Sequence, residues 1–411
     1  MKLENKTKKT LEAFKKKCKG KNSFFIMLTL ILTIIINLYS FSVVKAEESA
    51  DNDNLDIENS EQTEISVPQN LNLSSINLDD LINIAINNSM QCEIDDLNIE
   101  IKEEALKQAY ENASFLRDAY GAQNILNNKI IKEVRTFEAE TNVEVAKKTK
   151  EDNINNLKVN IKKAFQNLLI AQIEQSTENN RLDILMQKYD LLKSKLKQGI
   201  ITENDLTDIE FSIENKRIDI VKVGEKIEGI KNDIKKLLNV SFSSAFPKID
   251  EDIEFELIKH IDANKAVSNA INNNTSIYRL KKDIEAKQKV LDLTGQYLKE
   301  TDNSYKNAKY DLEQVKVSLE DTSLSIEVSV RNSYSNILNL RDRVYLAEKY
   351  LGILREKLNL AEIKFKNGMV TTDVVLNAKE SIINAEYQRY AAIYNYNLAK
   401  IDFEARCDIE K

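Results

Sequence analysis

The feature that most constrains this chain is an apolar heptad seam that stops at a glycine and then restarts on the same spacing. It does so twice. Ile337, Leu340, Val344, Ala347, Leu351, Leu354, Leu358, Ala361 and Phe365 alternate three- and four-residue steps up to "KFKNGMVTTDVV" (364–375). Past that break Val375, Ala378, Ile382, Ala385, Arg389, Ala392, Tyr396, Ala399 and Phe403 resume the alternation. The same arrangement stands 169 residues earlier, around "KLKQGIITENDL" (195–206). There Leu168, Ala171, Leu182, Leu185, Leu192 and Leu196 lead in, and Leu206, Ile209, Ile213, Val223, Ile227 and Ile234 lead out. Polar residues interrupt this earlier copy at Gln175, Glu178 and Lys216. A strict heptad keeps a narrow apolar stripe facing a neighbouring helix, which is left-handed coiled-coil packing.

Composition supports long helices. The 411 residues include only 8 Gly and 2 Pro against 30% charged residues, and both prolines, Pro68 and Pro247, fall outside the periodic stretches. Each glycine break therefore reads as a helix reversal. Gly199 and Gly368 suit the left-handed position that ends a helix. Thr202 or Glu203, and Thr371 or Thr372, are the candidate caps of the returning helices, with Asp205 and Asp373 near their positive dipole ends. The outgoing helix, from about Val159 to Gln198, spans roughly 60 Å.

Other paired segments extend the repeat. "INLDDLINIAINNSM" (76–90) parallels "IDANKAVSNAINNNT" (261–275), and "VNIKKAFQNLLIAQ" (159–172) parallels "VSVRNSYSNILNLR" (328–341). The expected fold is all-α: a duplicated long helical hairpin with little or no β-structure. The first repeat covers 74–240, a linker 241–256, the second repeat 257–407 and a tail 408–411. Rods this thin have no compact core and must bury their seams between hairpins and between subunits.

The N-terminus carries a targeting pattern. Nine lysines between Lys2 and Lys21 precede the apolar run "FFIMLTLILTIIINLYSFSVV" (24–44), followed by small residues at Val44 and Ala46. Residues 1–46 read as an export signal cleaved after Ala46, with a retained membrane anchor as the other option. Either way the body is exported. Residues 47–73, rich in Asp, Glu, Asn and Ser, read as an acidic flexible tether. Net charge is −7, and ten Lys against two Glu in residues 1–46 leave the rest of the chain at −15. Such a body is a poor binder of nucleic acid, which needs clustered cations.

No enzyme chemistry is visible. His260 is the one histidine, and no phosphate loop, nucleophile elbow or metal spacing occurs, so neither cofactor nor metal is expected. Cys92 and Cys407 read as two independent thiols rather than a pair. The tyrosine cluster "YQRYAAIYNYN" (387–397) reads as helix packing ahead of a tunnel lining.

These residues together resemble the TolC family of outer-membrane efflux proteins over residues 76–407. The resemblance rests on "LDDLINIAINN" with "ANKAVSNAINN", "KAFQNLLIAQ" with "NSYSNILNLR", and "KQGIITENDL" with "KNGMVTTDVV". It implies a homotrimer whose hairpins form a coiled-coil α-barrel, an exit duct of an efflux system. It implies docking of an adaptor of the membrane-fusion type, and through it an inner-membrane or ABC-type pump. The docking set is then Gly199, Ile200, Ile201, Thr202 and Asp205, with Gly368, Met369, Val370, Thr371 and Asp373. From the residues alone, ordinary helix reversals fit these turns equally well. Family members carry barrel strands between the first helix and the long one. The corresponding stretches here, 110–152 and 291–324, are charged and lack the apolar alternation of lipid-facing strands, so the expectation is a helical tunnel without them. A structural extracellular coiled-coil spacer, with no transport role, is the rival reading. A module that regulates an exporter without forming a tube is a third.

Overall fold

The computed structural model describes residues 75–249, 251–258 and 262–407, all within one compact unit. The lysine-rich segment, the apolar run and cleavage position, the tether, His260 and residues 408–411 lie outside the described residues. The described chain is helical. Its helices are α1 (Leu78–Asn87), α2 (Met90–Ser114), α3 (Ala122–Lys129), α4 (Thr136–Lys197), α5 (Glu203–Leu237), α6 (Ala263–Asn273), α7 (Thr275–Tyr297), α8 (Asn303–Lys366) and α9 (Thr372–Cys407). A π-helical segment, Ile130–Arg135, joins α3 to α4 without a break. No strand occurs among the described residues; an isolated parallel bridge ties Ser75 to Lys248.

The first outgoing helix is longer than its periodicity indicated. α4 has 62 residues, about 90 Å at 1.5 Å per residue. Its opening third buries Thr136 and Thr141 beside Val143, Val145 and Ala146. Small and polar residues make that part of the seam, so the heptad is faint there. The stretches 110–152 and 291–324 are helical apart from the connections at 115–121 and 298–302. Where strands are absent, Leu126 and Val134 pack with Ala286 and Leu293 of α7 in a small apolar cluster.

The helices lie in rows of four. Around the glycine turns the packing order is α5–α4–α9–α8; towards the other end it is α2–α4–α7–α8. α4 and α8 run through both rows. α5 stops at a left-handed Asn239 (φ 50°), whose side chain donates to the Asn88 carbonyl at 3.1 Å while Asn88 Nδ2 donates to the Leu238 carbonyl at 3.1 Å. That reciprocal pair sets the end of α5 against the start of α2, so α5 and α2 share one edge of the row. α8 forms the other.

The main core sits between these ends. Leu81, Ile161, Phe165, Leu168, Ile234, Ile337, Ile393, Tyr396 and Phe403 are fully buried there. An extended strap, residues 251–258, closes over it. Asn397 Nδ2 donates to the Glu254 carbonyl at 2.9 Å, and the Ile258 N–H donates to Tyr396 Oη at 2.8 Å. The tyrosine cluster is packing, as expected: Tyr394 Oη donates to Asn167 at 2.7 Å, and Tyr396 meets Phe255 edge-on. Along the second seam Val344, Leu351, Leu354 and Ala361 are buried, but Phe365 is exposed. It is the last heptad position before the turn, and α9 starts only at Thr372, so no helix lies opposite it. Cys92 is half-buried, Cys407 is buried, and both are free thiols; burial pushes the Cys407 thiol up to about 11.

Candidate functional site: the paired hairpin turns

Two turns with one geometry cap the row. Gly199 and Gly368 hold φ of +70° and +69°. In the first turn the Gly199 N–H donates to the Leu196 carbonyl at 2.9 Å and the Ile200 N–H to Lys195 at 3.0 Å. In the second, Gly368 N–H meets Phe365 at 2.9 Å and Met369 N–H meets Lys364 at 2.8 Å. These are the two bonds of a Schellman motif, which satisfy carbonyls left open at a helix end. An added Cβ on either glycine would touch nothing within 4 Å, so the glycines answer to backbone conformation and not to space.

The residues after the glycines face outward. Ile200 is 65% exposed and Met369 73% exposed, with Ile201 and Val370 half-buried behind them. Two apolar side chains held out by a rigid turn offer contact area that water does not favour. Thr202 precedes α5, and its backbone N–H and hydroxyl both donate to Asp205 Oδ2 at 2.8 Å. These bonds, the backbone one foremost, hold the Asp205 carboxyl below its ordinary range. Thr371 precedes α9, which opens with Thr372 and Asp373.

The structure brings the two turns together. Asp373, at the start of α9, pairs with Lys195 in the last turn of α4 at 2.8 Å. One heptad further along the same seam, Lys188 pairs with Glu380 at 2.7 Å. Seven residues further back on α4, Arg181 donates from Nε and Nη2 to Asn384, four residues past Glu380 on α9, at 2.9 and 2.6 Å. This polar ladder was not singled out from the sequence. The seven-residue spacing of Lys188 with Lys195, and of Asp373 with Glu380, is the signal that carries it.

The polar interruptions of the first hairpin also meet. Glu178, only 8% exposed, accepts from Arg181 and from Lys216, the latter at 2.7 Å; Lys216 also reaches Asp219 at 3.2 Å. Burial opposes the Lys216 charge, but its bonds to Glu178 and Asp219 outweigh that and raise its pKa. No group of His, Cys, Asp and Glu among the described residues could hold a metal ion. No described helix is long and apolar enough to cross a membrane.

No protein family and no curated protein sequence matches the chain. Solved structures do. The outer-membrane channel OprN aligns with a TM-score of 0.64 at 11% identity, over 85% of this chain and 98% of that one. CusC, described for its folding and transmembrane channel formation, gives 0.60 at 13% identity, over 85% and 98%. The outer-membrane protein VceC from Vibrio cholerae gives 0.60 at 13% identity, over 80% and 95%. The fold is TolC-like. At these identities the likeness is one of architecture. Among the described residues nothing covers Ile200 or Met369 at the paired turns.

Proposed function

We propose that three copies of this chain close into a helical tube that serves as the exit duct of an export system in the cell envelope. The observation that carries this reading is the state of the row's two edges. On one edge α5 exposes Phe211, Ile218 and Val221, and α2 continues with Met90, Ile94, Leu97 and Ile101. On the other, α8 exposes Val317, Leu324, Val328, Leu346, Tyr350, Ile353 and Leu360. Large apolar side chains at three-, four- and seven-residue steps along both open edges ask for a partner helix. The two edges differ, so the contact joining them is head-to-tail, and a head-to-tail contact closes into a ring when the rotation permits.

The hairpin turns are then the docking end. Gly199, Ile200, Ile201, Thr202 and Asp205, with Gly368, Met369, Val370, Thr371 and Asp373, present six turns per trimer to an adaptor of the membrane-fusion type, and through it to an inner-membrane or ABC-type pump. Conduction through such a tube is passive, and the chain works without a cofactor. The N-terminal segment carries the chain out of the cytoplasm. The rod with its edges capped by nothing would be a poor spacer, since its apolar stripes would stay wet.

Light scattering on the full chain in mild detergent tests this. A species at three chain masses, with a ring in end-on electron-microscope views, supports the duct. A monomer or dimer over a wide concentration range overturns it.

A further inference from the structure

The two turns share a backbone but not the residue that precedes the glycine. Gln198 stands before Gly199 and Asn367 before Gly368, and Asn367–Gly368 is the one Asn–Gly step in the 411 residues. That step has a chemistry of its own. An asparagine side chain can bring its amide carbon to the next backbone nitrogen through a five-membered ring, and a following glycine has no Cβ to hinder the approach. The extra methylene of Gln198 would demand a six-membered ring, which closes far more slowly.

We infer that Asn367 is a latent deamidation site, held off by the folded second turn and released when that turn opens. Neither the tube nor an adaptor is needed for it. Asn367 is exposed, so solvent reaches it. Its ψ of 8° sets the Gly368 nitrogen eclipsed with the backbone nitrogen of Asn367, and so turned away from Cβ and the side-chain amide. The Gly368 N–H also donates to the Phe365 carbonyl at 2.9 Å, and this nitrogen must shed its proton to attack. Ring closure therefore requires ψ to rotate and the Schellman bonds to break. Helix ends open locally at lower free energy than the whole chain unfolds, so the site is reached without global unfolding.

The step balances with water alone. The Gly368 nitrogen bonds to Asn367 Cγ, the Cγ–Nδ2 bond breaks, and the displaced proton leaves with Nδ2 as ammonia. Water then opens the cyclic imide. Cleavage of the new N–Cγ bond leaves aspartate. Cleavage of the original peptide bond leaves isoaspartate, with an added carbon in the backbone. Either product sets a carboxylate two residues from the exposed Met369. Isoaspartate also displaces the N–H groups of Gly368 and Met369 from the Phe365 and Lys364 carbonyls they cap. Two turns that are made alike become unlike with age, and only the second one changes.

Peptide mapping by mass spectrometry tests this on the full chain, held at one mildly alkaline pH either folded or unfolded in guanidinium. The unfolded chain should convert Asn367 at least roughly tenfold faster than the folded chain, and faster than its other asparagines. Equal rates in the two states would overturn the protection by the turn. An unfolded chain that converts Asn367 no faster than its other asparagines would overturn the site itself. Gln198→Asn builds the same step on the first turn, where the residue before the glycine has a ψ of −2°, and should be protected to the same degree; rapid conversion of that folded variant would overturn the turn geometry as the cause. Folded chain enriched in isoaspartate at position 367 should exchange the Met369 amide faster than the parent, with the Ile200 amide unchanged. Unaltered exchange at Met369 would overturn the loss of the second turn's cap.

Discussion

The two hairpins solve one packing problem with different chemistry. At equivalent positions the second hairpin has Val344, Ala347 and Ala385, where the first has Gln175, Glu178 and Lys216. Ala385 is buried with Leu351 and Leu354, and Val344 is buried in the main core. Glu178 is just as buried, but it is held by Lys216 and Arg181, and Arg181 reaches on to Asn384 of α9. So at these heptad positions the second hairpin is closed by apolar contact, with its ion pairs, Arg389 to Glu348 and Arg355 to Glu386, at neighbouring positions. The other is held by an ion network that spans α4, α5 and α9. A buried ion pair adds little net stability over apolar packing, because desolvation offsets the attraction. It does select register, since a shift by one heptad strands a charge.

That difference can be broken most forcefully in the apolar hairpin. Ala385→Lys copies Lys216 into the second seam, where the position equivalent to Glu178 is Ala347. An uncompensated buried charge costs roughly 3–5 kcal/mol, and chemical unfolding should show a loss of that order. A loss near zero would mean that the second seam admits water and is not the dry interface described.

The converse change is smaller and reversible. Lys216→Ala leaves Glu178 with Arg181 alone and should destabilise by about 1–3 kcal/mol. Adding Glu178→Ala then gives the first hairpin the alanines found at 347 and 385 in the second. The double variant should be more stable than the Lys216→Ala single variant, with a coupling of about 1–3 kcal/mol in the double-mutant cycle. Additive losses would show that the network does not act as a unit.

The same contrast explains what could be read in advance. The second hairpin announced itself, because its seam is aliphatic at nearly every heptad position. In the first hairpin, Gln175, Glu178 and Lys216 looked like gaps in the pattern. Ion pairing between residues 38 apart has no local periodicity, so their partnership had to be seen in space. The opening third of α4 was hidden for a related reason: buried Thr136 and Thr141 carry no hydropathy signal, although Thr136 returns its hydroxyl to the Lys132 carbonyl at 2.7 Å. The turns were legible to the residue, because only a positive φ requires glycine there. The open edges were present in the sequence as Phe211, Ile218, Leu346 and Ile353, but heptad residues on an edge and in a seam look alike until the row is assembled.

The turns themselves should behave alike, which makes them a control on the comparison. Gly199→Ala and Gly368→Ala each force a side chain into the left-handed region, at about 1–2 kcal/mol. Neither meets a steric obstacle, so the two losses should match within experimental scatter. Unequal losses in unfolding experiments would show that one turn bears load that the other does not.

The smallest expected effect separates the turns by pH. Asp205 accepts two bonds from Thr202, while the equivalent position in the second hairpin is Val374. Its carboxyl is held below the unperturbed 3.8, so folding favours the ionised form. Its contribution is complete above that unfolded value and disappears as pH falls through the lower folded value. Amide exchange at the start of α5 should therefore quicken under acid, in the window just below pH 4, and Asp205→Asn should flatten that response. Asp373 pairs instead with Lys195 on α4, so its bond belongs to the seam between hairpins and not to the cap of α9. Exchange at residues 203–206 that is more acid-sensitive than at 372–375 would place the pH response in the first cap. Equal sensitivity would show that the response does not come from the Asp205 cap.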